Sequence, residues 1–205
     1  MADFIVTDIE QVIKHSLEKS ILYEGNNKLK SSIFVSTIAD LLFDNYKSTG
    51  ETLSLSTIGY DDESGRRKPG EKMLDITIAK TKTICDPDKK QSKAVINCQL
   101  VWAVESEADT SLPAFADDFG KLLCSNSIHY LYLNGLDQVQ EASRTAYINR
   151  RLTIAKELLN DANLNYKKFY YAVWPSPHKN QNHDKSFWDM YQKDELLDMV
   201  RVFEL

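Results

Sequence analysis

The chain has 205 residues, a net charge of -5 and 42% hydrophobic residues, a composition typical of a soluble globular domain that buries a sizeable core. Seven glycines and five prolines exclude collagen-like and low-complexity structures, and 30 acidic against 25 basic residues exclude a strongly cationic nucleic-acid binder. No apolar run approaches the roughly 18 residues of a membrane span, and the first residues lack the pattern of a signal peptide, so we expect no membrane association.

The first half of the chain predicts two helices followed by strands. Apolar residues recur at helical spacing from Phe4 to Ile21 and again from Ile33 to Tyr46, which indicates two amphipathic helices. Alternating side chains predict strands over residues 52–58 and 73–79, with a polar loop over 59–70 between them. After a hairpin connection at 85–93, the apolar run from Ala94 to Val104 predicts a central buried strand.

The second half alternates helices and strands. Pro113 suits the first turn of a helix that carries Phe115 and Phe119. A strand over 128–133, a long helix capped by Asp137 and an aromatic strand over 166–174 follow, and the tail beyond Pro175 stays unassigned. This order predicts one α/β domain over residues 1–205, with a central mixed sheet flanked by helices.

The cysteines indicate the cellular location of the protein, and the basic segments indicate where a charged partner would bind. Cys85, Cys98 and Cys124 show no CxxC spacing, which disfavours a disulfide scaffold or zinc finger and favours a reducing, cytoplasmic location. Residues 61–93 and 141–168 hold more Lys and Arg than Asp and Glu, so a polyanion would most plausibly bind there; the alternative is a solvated surface. The predicted phosphate contacts are Arg66, Arg67, Lys68, Arg144, Arg150 and Arg151.

Three acidic residues fall on two consecutive predicted strands. Asp75 lies on the strand face opposite Leu74 and Ile76, and Glu105 and Glu107 share one face of the following strand. If the two strands pair in suitable register, the three carboxylates converge and repel one another unless a cation lies among them. A hard divalent cation such as Mg²⁺ prefers oxygen ligands of this kind. The alternative is a solvated exit from the sheet.

The segments Gly70–Ile76 and Val104–Glu107, taken with the order of elements over roughly residues 30–135, resemble the PD-(D/E)xK nuclease superfamily. Its restriction-endonuclease-like core has the order αβββαβ. The family's aspartate falls on Asp75 and the first acid of its second half-motif on Glu105. The usual lysine position falls on Glu107, as a glutamate does in BamHI-type restriction enzymes.

The resemblance implies an endonuclease that hydrolyses DNA phosphodiester bonds with Mg²⁺, or with Mn²⁺. It implies that Asp75, Glu105 and the main-chain carbonyl of Ser106 bind the metal ion, and that Glu107 helps to position or deprotonate water. A further acid from the first helices commonly completes such sites. The open candidates are Glu10, Glu18 and Glu24.

Lys121 lies on the helix that follows the Glu105–Glu107 strand. Some members of the superfamily supply the missing lysine from a neighbouring helix, so the resemblance makes Lys121 a candidate catalytic residue. The alternative is an ion pair between Lys121 and Asp117, one helical turn away.

Other functions stay open. A non-catalytic member of the same fold could serve as a protein- or nucleic-acid-binding module, and an α/β protein unrelated to nucleases is a third hypothesis. DNA is the expected partner of an active enzyme, and a homodimer or a protein partner is also possible. P-loop and dinucleotide-binding motifs are absent from the sequence, and zinc binding by His178 and His183 is disfavoured because no cysteine lies nearby.

Overall fold

The computed structural model describes residues 6–47, 52–57, 73–88, 92–164, 167–177 and 185–205. Within these ranges the helices are α1 (Val6–Leu22), α2 (Asn27–Lys47), α3 (Leu112–Cys124), α4 (Glu141–Asp161), α5 (Phe187–Met190) and α6 (Lys193–Asp198). The strands are β1 (Leu53–Thr57), β2 (Ile76–Cys85), β3 (Lys93–Glu107), β4 (Ser127–Leu136), β5 (Lys168–Pro175) and β6 (Arg201–Glu204).

The strands form one mixed sheet in the spatial order β1-β2-β3-β4-β5-β6. The pairs β1–β2, β2–β3 and β5–β6 are antiparallel, whereas β3, β4 and β5 are parallel. Parallel neighbours need a crossover connection, which α3 supplies between β3 and β4 and α4 supplies between β4 and β5. The prediction of an α/β fold with a mixed sheet flanked by helices is therefore confirmed.

Each face of the sheet buries its own apolar core, because successive side chains of a strand point to opposite faces. On one face, α1 and α2 cover a core in which Phe34 stacks on Trp174 with ring centroids 4.2 Å apart. On the other face, α3 and α4 cover an aromatic core in which Phe119 packs on Phe169 at 5.1 Å. Burial of each such ring contributes about 1.5–3 kcal/mol of hydrophobic stabilisation.

Strand β3 is buried only in its second half. Residues 93–99 are exposed, whereas residues 101–105 are buried. The pairing explains the difference, since β4 begins opposite Leu100 and β1 lies opposite the first residues of β2, up to Lys80. The expectation of a buried strand starting at Ala94 is thus wrong for its first residues, which pair with β2 but extend past β1 and β4.

The structure also changes two predicted details of the second half. Gln140, not Asp137, is the N-cap residue of α4; the Asp137 carboxylate instead accepts a hydrogen bond from Thr110 Oγ1 at 3.0 Å. The unassigned tail forms α5, α6 and β6, which adds to the sheet beside β5. Across the part of the chain with described structure, the helices are too short or too polar to cross a bilayer.

Candidate functional site

Asp75 and Glu105 lie side by side at one end of the sheet. Ile76, the first residue of β2, pairs with Val104 of β3, so the antiparallel register brings Asp75 next to Glu105. The backbone N–H of Ser106 donates to Asp75 Oδ2 at 2.7 Å and fixes the carboxylate against the end of β3. Two residues before Asp75, Met73 adopts a φ of 124°, which is a costly backbone conformation for a residue other than glycine.

Glu105 is a buried acid with an incomplete set of partners. The residue is 1% exposed, and its Oε1 atom has no hydrogen-bond partner. Its Oε2 atom lies 3.6 Å from Lys121 Nζ. Burial, followed by the negative charge of Asp75, raises the pKa of Glu105 from 4.5 to about 9. A carboxyl group in this environment holds a proton at neutral pH unless a cation replaces that proton.

Lys121 reaches the carboxylates from α3. This helix buries Phe115, Phe119 and Leu122 against the sheet, which leaves Lys121 at the border of the contact. Its ammonium donates to Asp118 Oδ1 at 2.6 Å. Burial alone would lower the pKa of Lys121, but the hydrogen bond to Asp118 and nearby negative charge raise it overall. Lys121 therefore keeps its positive charge.

The acidic partner of Lys121 differs from the one that the sequence suggested. The ion pair joins Lys121 to Asp118 at spacing i, i+3, whereas Asp117, at spacing i, i+4, is exposed. Both spacings bring side chains together on a helix. The orientation of α3 decides between them, since burial of Phe115 and Phe119 turns Asp118 towards the sheet.

Glu107 contacts the turn that follows β3. Its Oε1 atom accepts a hydrogen bond from the backbone N–H of Asp109 at 2.6 Å, within the turn that leads to the Ser111 N-cap of α3. Burial raises the pKa of Glu107, and the neighbouring Asp118 raises it further. The structure thus brings Asp75 and Glu105 together, and Glu107 together with Asp118.

Tyr132 completes the surroundings of Glu105 on the β4 side. It is the cross-strand neighbour of Glu105 and is fully buried. Its ring lies edge-on to Phe115 and Phe119, with centroids 5.3 Å and 5.5 Å away, and its hydroxyl group has no hydrogen-bond partner. Burial raises the pKa of Tyr132, and the charges of Asp118 and Glu107 add to the effect. Sequence reasoning missed Tyr132 because an aromatic residue in a strand looks like ordinary core.

A cleft of about 200 Å³ opens beside Asp75 on the opposite side of the sheet, between α2 and the ends of β2 and β3. Its lining residues are Lys28, Ser31, Ser32, Val35, Asp75, Ser106 and Ala108. Asp75 is therefore reachable from a polar cleft, while Glu105 is shielded beneath α3.

Asp75 and Glu105 are the candidate ligands for a divalent metal ion. In the described part of the chain, no group of three or more His, Cys, Asp and Glu side chains is arranged to hold a metal ion. The chemistry of Asp75 and Glu105 nevertheless fits Mg²⁺, which prefers one or two carboxylates and retains several waters. The Oε1 atom of Glu105, which has no hydrogen-bond partner, is an oxygen that could bind such an ion.

The predicted phosphate contacts have different environments. Arg66, Arg67 and Lys68 lie outside the described residues. Arg150 is exposed on α4. The Nη1 atom of Arg144 donates to the carbonyls of two residues before α4, at 2.7 Å and 3.2 Å.

Arg151 is a core residue rather than a surface contact. It is 8% exposed, and its guanidinium lies over the rings of Phe115 and Tyr147, 5.0 Å and 5.2 Å from their centroids. Its Nη2 atom donates to the carbonyl of Thr110 at 2.8 Å. These contacts tie α4 to the start of α3, so the position of Arg151 contradicts its predicted role as a phosphate contact.

The candidate acids of the first helices do not join the carboxylates. Glu10 pairs with Lys14 at 2.8 Å, and Glu18 pairs with Lys193 at 2.6 Å. Glu24 is exposed between α1 and α2. Helix α2 instead presents lysine and serine side chains to the cleft beside Asp75. The two histidines considered for zinc, at positions 178 and 183, lie outside the described residues.

Comparisons with known proteins add no assignment to this site: no protein-family model, curated protein or solved structure matches the chain.

Proposed function

We propose that the chain is a Mg²⁺-dependent endonuclease of the PD-(D/E)xK type, which hydrolyses DNA phosphodiester bonds. One observation carries the proposal: Asp75, directly before β2, lies beside Glu105 at the end of β3, with Lys121 Nζ 3.6 Å from Glu105 Oε2. The run α2-β1-β2-β3-α3-β4 has the order of a restriction-endonuclease-like core. That order supports the assignment of the two acids to the family's motif positions.

Asp75 and Glu105 are the residues that would hold Mg²⁺, and the carbonyl of Ser106 is a further candidate ligand. A bound Mg²⁺ would make a water molecule more acidic and offset negative charge at the scissile phosphate. Binding of the cation requires ionised carboxylates, so it must displace the proton that Glu105 holds at neutral pH.

Lys121 supplies the positive charge that the Glu107 position lacks. Its raised pKa makes it a poor general base, because it does not release a proton near neutral pH. It acts instead as a fixed cation that attracts the substrate phosphate and stabilises charge on it. Asp118 is a positioning residue that holds this ammonium next to Glu105.

Nicking of supercoiled plasmid DNA tests the proposal. We expect the wild-type protein to nick the plasmid with Mg²⁺ or Mn²⁺ and to be inactive in EDTA. Asp75→Asn, Glu105→Gln and Lys121→Met should each reduce the rate at least about 100-fold, as expected for loss of a ligand or of electrostatic stabilisation. Asp117→Asn is the matched control, since Asp117 is exposed on the same helix and should leave the rate unchanged.

Equal activity in all of these variants would identify a contaminating nuclease and overturn the proposal. Circular dichroism of each variant shows whether a loss of activity follows from unfolding. Glu107→Ala belongs in the series as well, because loss of activity there, with the fold intact, would place Glu107 in the reaction in spite of its contact with Asp109.

A second candidate function is a non-catalytic module of the same fold that binds nucleic acid or protein. The position of the Lys121 ammonium near Glu105 favours it, because a lysine can neutralise buried acids without a metal ion. Wild-type protein that binds duplex DNA but nicks no plasmid with Mg²⁺ or Mn²⁺ would support this function instead.

A further inference from the structure

A second cleft, of about 330 Å³, opens where β4 begins beside β3. Its walls are residues 97–100 of β3, the two residues Asn126 and Ser127 at the start of β4, and Lys167 directly before β5. Five residue steps along β3 separate Leu100 from Glu105, which corresponds to about 16 Å at the usual rise of a strand. This cleft is therefore separate from the candidate metal site.

A β-bulge in β3 shapes the first wall of the cleft. Asn97 and Gln99 pair with neighbouring residues of β2, so Cys98 between them is an extra residue on β3. Such a bulge interrupts the alternation of side chains between the two faces of a sheet. Because β4 starts only opposite Leu100, no described strand lies beside residues 97–99 on that side. The bulge and the open edge together explain why four consecutive residues of one strand line the same cleft.

The walls of the cleft are rich in hydrogen-bond donors. Lys167 Nζ donates to Asn126 Oδ1 at 3.3 Å and to the carbonyl of Ser127 at 3.1 Å. An ammonium group can only donate, so the Asn126 oxygen faces it and the amide NH₂ group remains for another partner. Asn97 is arranged in the same way, because its Oδ1 atom accepts from the Ser54 hydroxyl at 2.9 Å. Among the described residues, the walls carry one cation, Lys167, and no carboxylate.

Ser127 adds a buried hydroxyl group to the wall of the cleft. The residue is 2% exposed, its backbone N–H donates to the Tyr130 hydroxyl at 2.8 Å, and its carbonyl accepts from Lys167. The Oγ atom of Ser127, in contrast, has no hydrogen-bond partner among the described residues. Buried polar groups without a partner are rare in folded proteins, and a ligand in the cleft would supply one.

We propose that this cleft binds a phosphate group, either free or as the ester of a small molecule. A phosphate group combines negative charge with several strong acceptor oxygens, which match the amide NH₂ groups, the Ser127 hydroxyl and the Lys167 ammonium. The volume of about 330 Å³ lies at the lower end of the range for small-molecule sites. The inference is independent of the proposed nuclease function, because Asp75, Glu105 and Lys121 take no part in this cleft.

NMR spectra of the isotope-labelled full chain locate the binding of three probes, which are inorganic phosphate, glycerol phosphate and acetate at constant ionic strength. We expect the side-chain amide signals of Asn97, Gln99 and Asn126 to shift saturably with the two phosphate probes. The probe that binds more tightly identifies the source of the group, a free ion or an ester. Acetate has only two acceptor oxygens and should bind about tenfold more weakly than the better phosphate probe, as expected for the loss of one hydrogen bond to a charged group.

Two results of this titration would overturn the proposal. One is the absence of saturable shifts in these amide signals with both phosphate probes at millimolar concentration. The other is tighter binding of acetate than of either phosphate probe, which would assign the cleft to carboxylates instead.

Ser127→Ala separates ligand binding from folding. Because its Oγ atom has no partner within the described chain, the substitution should not lower the free energy of unfolding of the ligand-free protein. The same substitution should weaken phosphate binding about tenfold, the effect of one lost hydrogen bond to a charged ligand. Wild-type affinity in Ser127→Ala would overturn the proposal.

Lys167→Met tests the cation of the cleft and should also weaken phosphate binding about tenfold, since it removes a charge-assisted hydrogen bond. Lys156→Met is the matched control, because Lys156 is exposed on α4 and should not affect the affinity. Equal losses in the two variants would show that the net charge of the protein attracts phosphate and would overturn the proposal. If circular dichroism shows that Lys167→Met is unfolded, Ser127→Ala decides alone.

Discussion

The buried carboxyl group of Glu105 makes the stability of the protein depend on pH. Its pKa is about 9 in the folded chain, against an ordinary value of 4.5, so between these values the folded state holds more protons than the unfolded state. The free energy of unfolding therefore falls as pH rises through this window, by up to about 1.4 kcal/mol per pH unit for one proton. The contribution of Glu105 is fully present below its unfolded pKa.

We expect Glu105→Gln to flatten this pH dependence, because glutamine carries no proton to lose. In metal-free buffer the variant should gain stability relative to the wild type as pH rises from about 5 to about 8. Urea unfolding at several pH values gives the free energies. Glu157→Gln on the exposed side of α4 is the control and should follow the wild type; parallel curves for wild type and Glu105→Gln would show that Glu105 does not titrate as described.

The sequence predicts the positions of some residues of the candidate site and not of others. The proximity of Asp75 to Glu105 can be predicted from the antiparallel pairing of β2 and β3, whereas strand alternation does not extend to Asp75, because Leu74 and Ile76 pack in opposite cores. Asp118 and Tyr132 were missed, since their roles depend on how α3 lies across β3 and β4. Arg151 was assigned to the surface because an arginine in a basic segment gives no sign that Phe115 and Tyr147 enclose it.

At the scale of secondary structure, the end of β4 lies close to the backbone of the segment that follows β3. A Cβ atom on Gly135 would lie 2.8 Å from the carbonyl oxygen of Ala108 and 2.9 Å from its Cα atom. Neither backbone atom can move aside as a flexible side chain could. Glycine at position 135 thus allows β4 to approach the segment that follows Glu107.

Gly135→Ala should destabilise the protein by about 1–3 kcal/mol, the usual cost of forcing extra atoms into a packed region, and should reduce nicking by shifting the Glu107–Asp109 turn. Gly120→Ala is the opposite control: nothing lies within 4 Å of its added Cβ, and alanine in helix α3 should stabilise by about 0.5–1 kcal/mol. Urea denaturation of both variants shows whether each substitution lowers or raises the free energy of unfolding. Equal effects would mean that the contact at Gly135 carries no strain.

Most elements could be predicted because their periodicity is local. Ser111 and Pro113 mark the start of α3, and the structure has Ser111 as its N-cap. The exposure of the first half of β3 could not be predicted, because it depends on where β1 and β4 end. The first residues of the apolar run, 94–99, instead pair with β2 beyond the ends of β1 and β4.

At the scale of the whole molecule, one sheet separates two cores that share strands β3, β4, β5 and β6. The core under α1 and α2 contains Trp102 and Trp174, and the core under α3 and α4 contains Leu159 at 3% exposure. Because these four strands contribute side chains to both cores, loss of one core exposes the sheet backbone and the other core as well. The two faces should therefore unfold as one cooperative unit.

Leu159→Ala tests this cooperativity. Removal of a buried leucine in α4 should cost about 2–5 kcal/mol. Although two of the three tryptophans lie on the opposite face, the midpoint of the urea transition followed by tryptophan fluorescence should fall by the same amount as that followed by circular dichroism, with an unchanged slope. A fluorescence transition that stays at the wild-type midpoint, while circular dichroism shifts, would show that the α1–α2 face folds independently and that Asp75 is held without the help of α3.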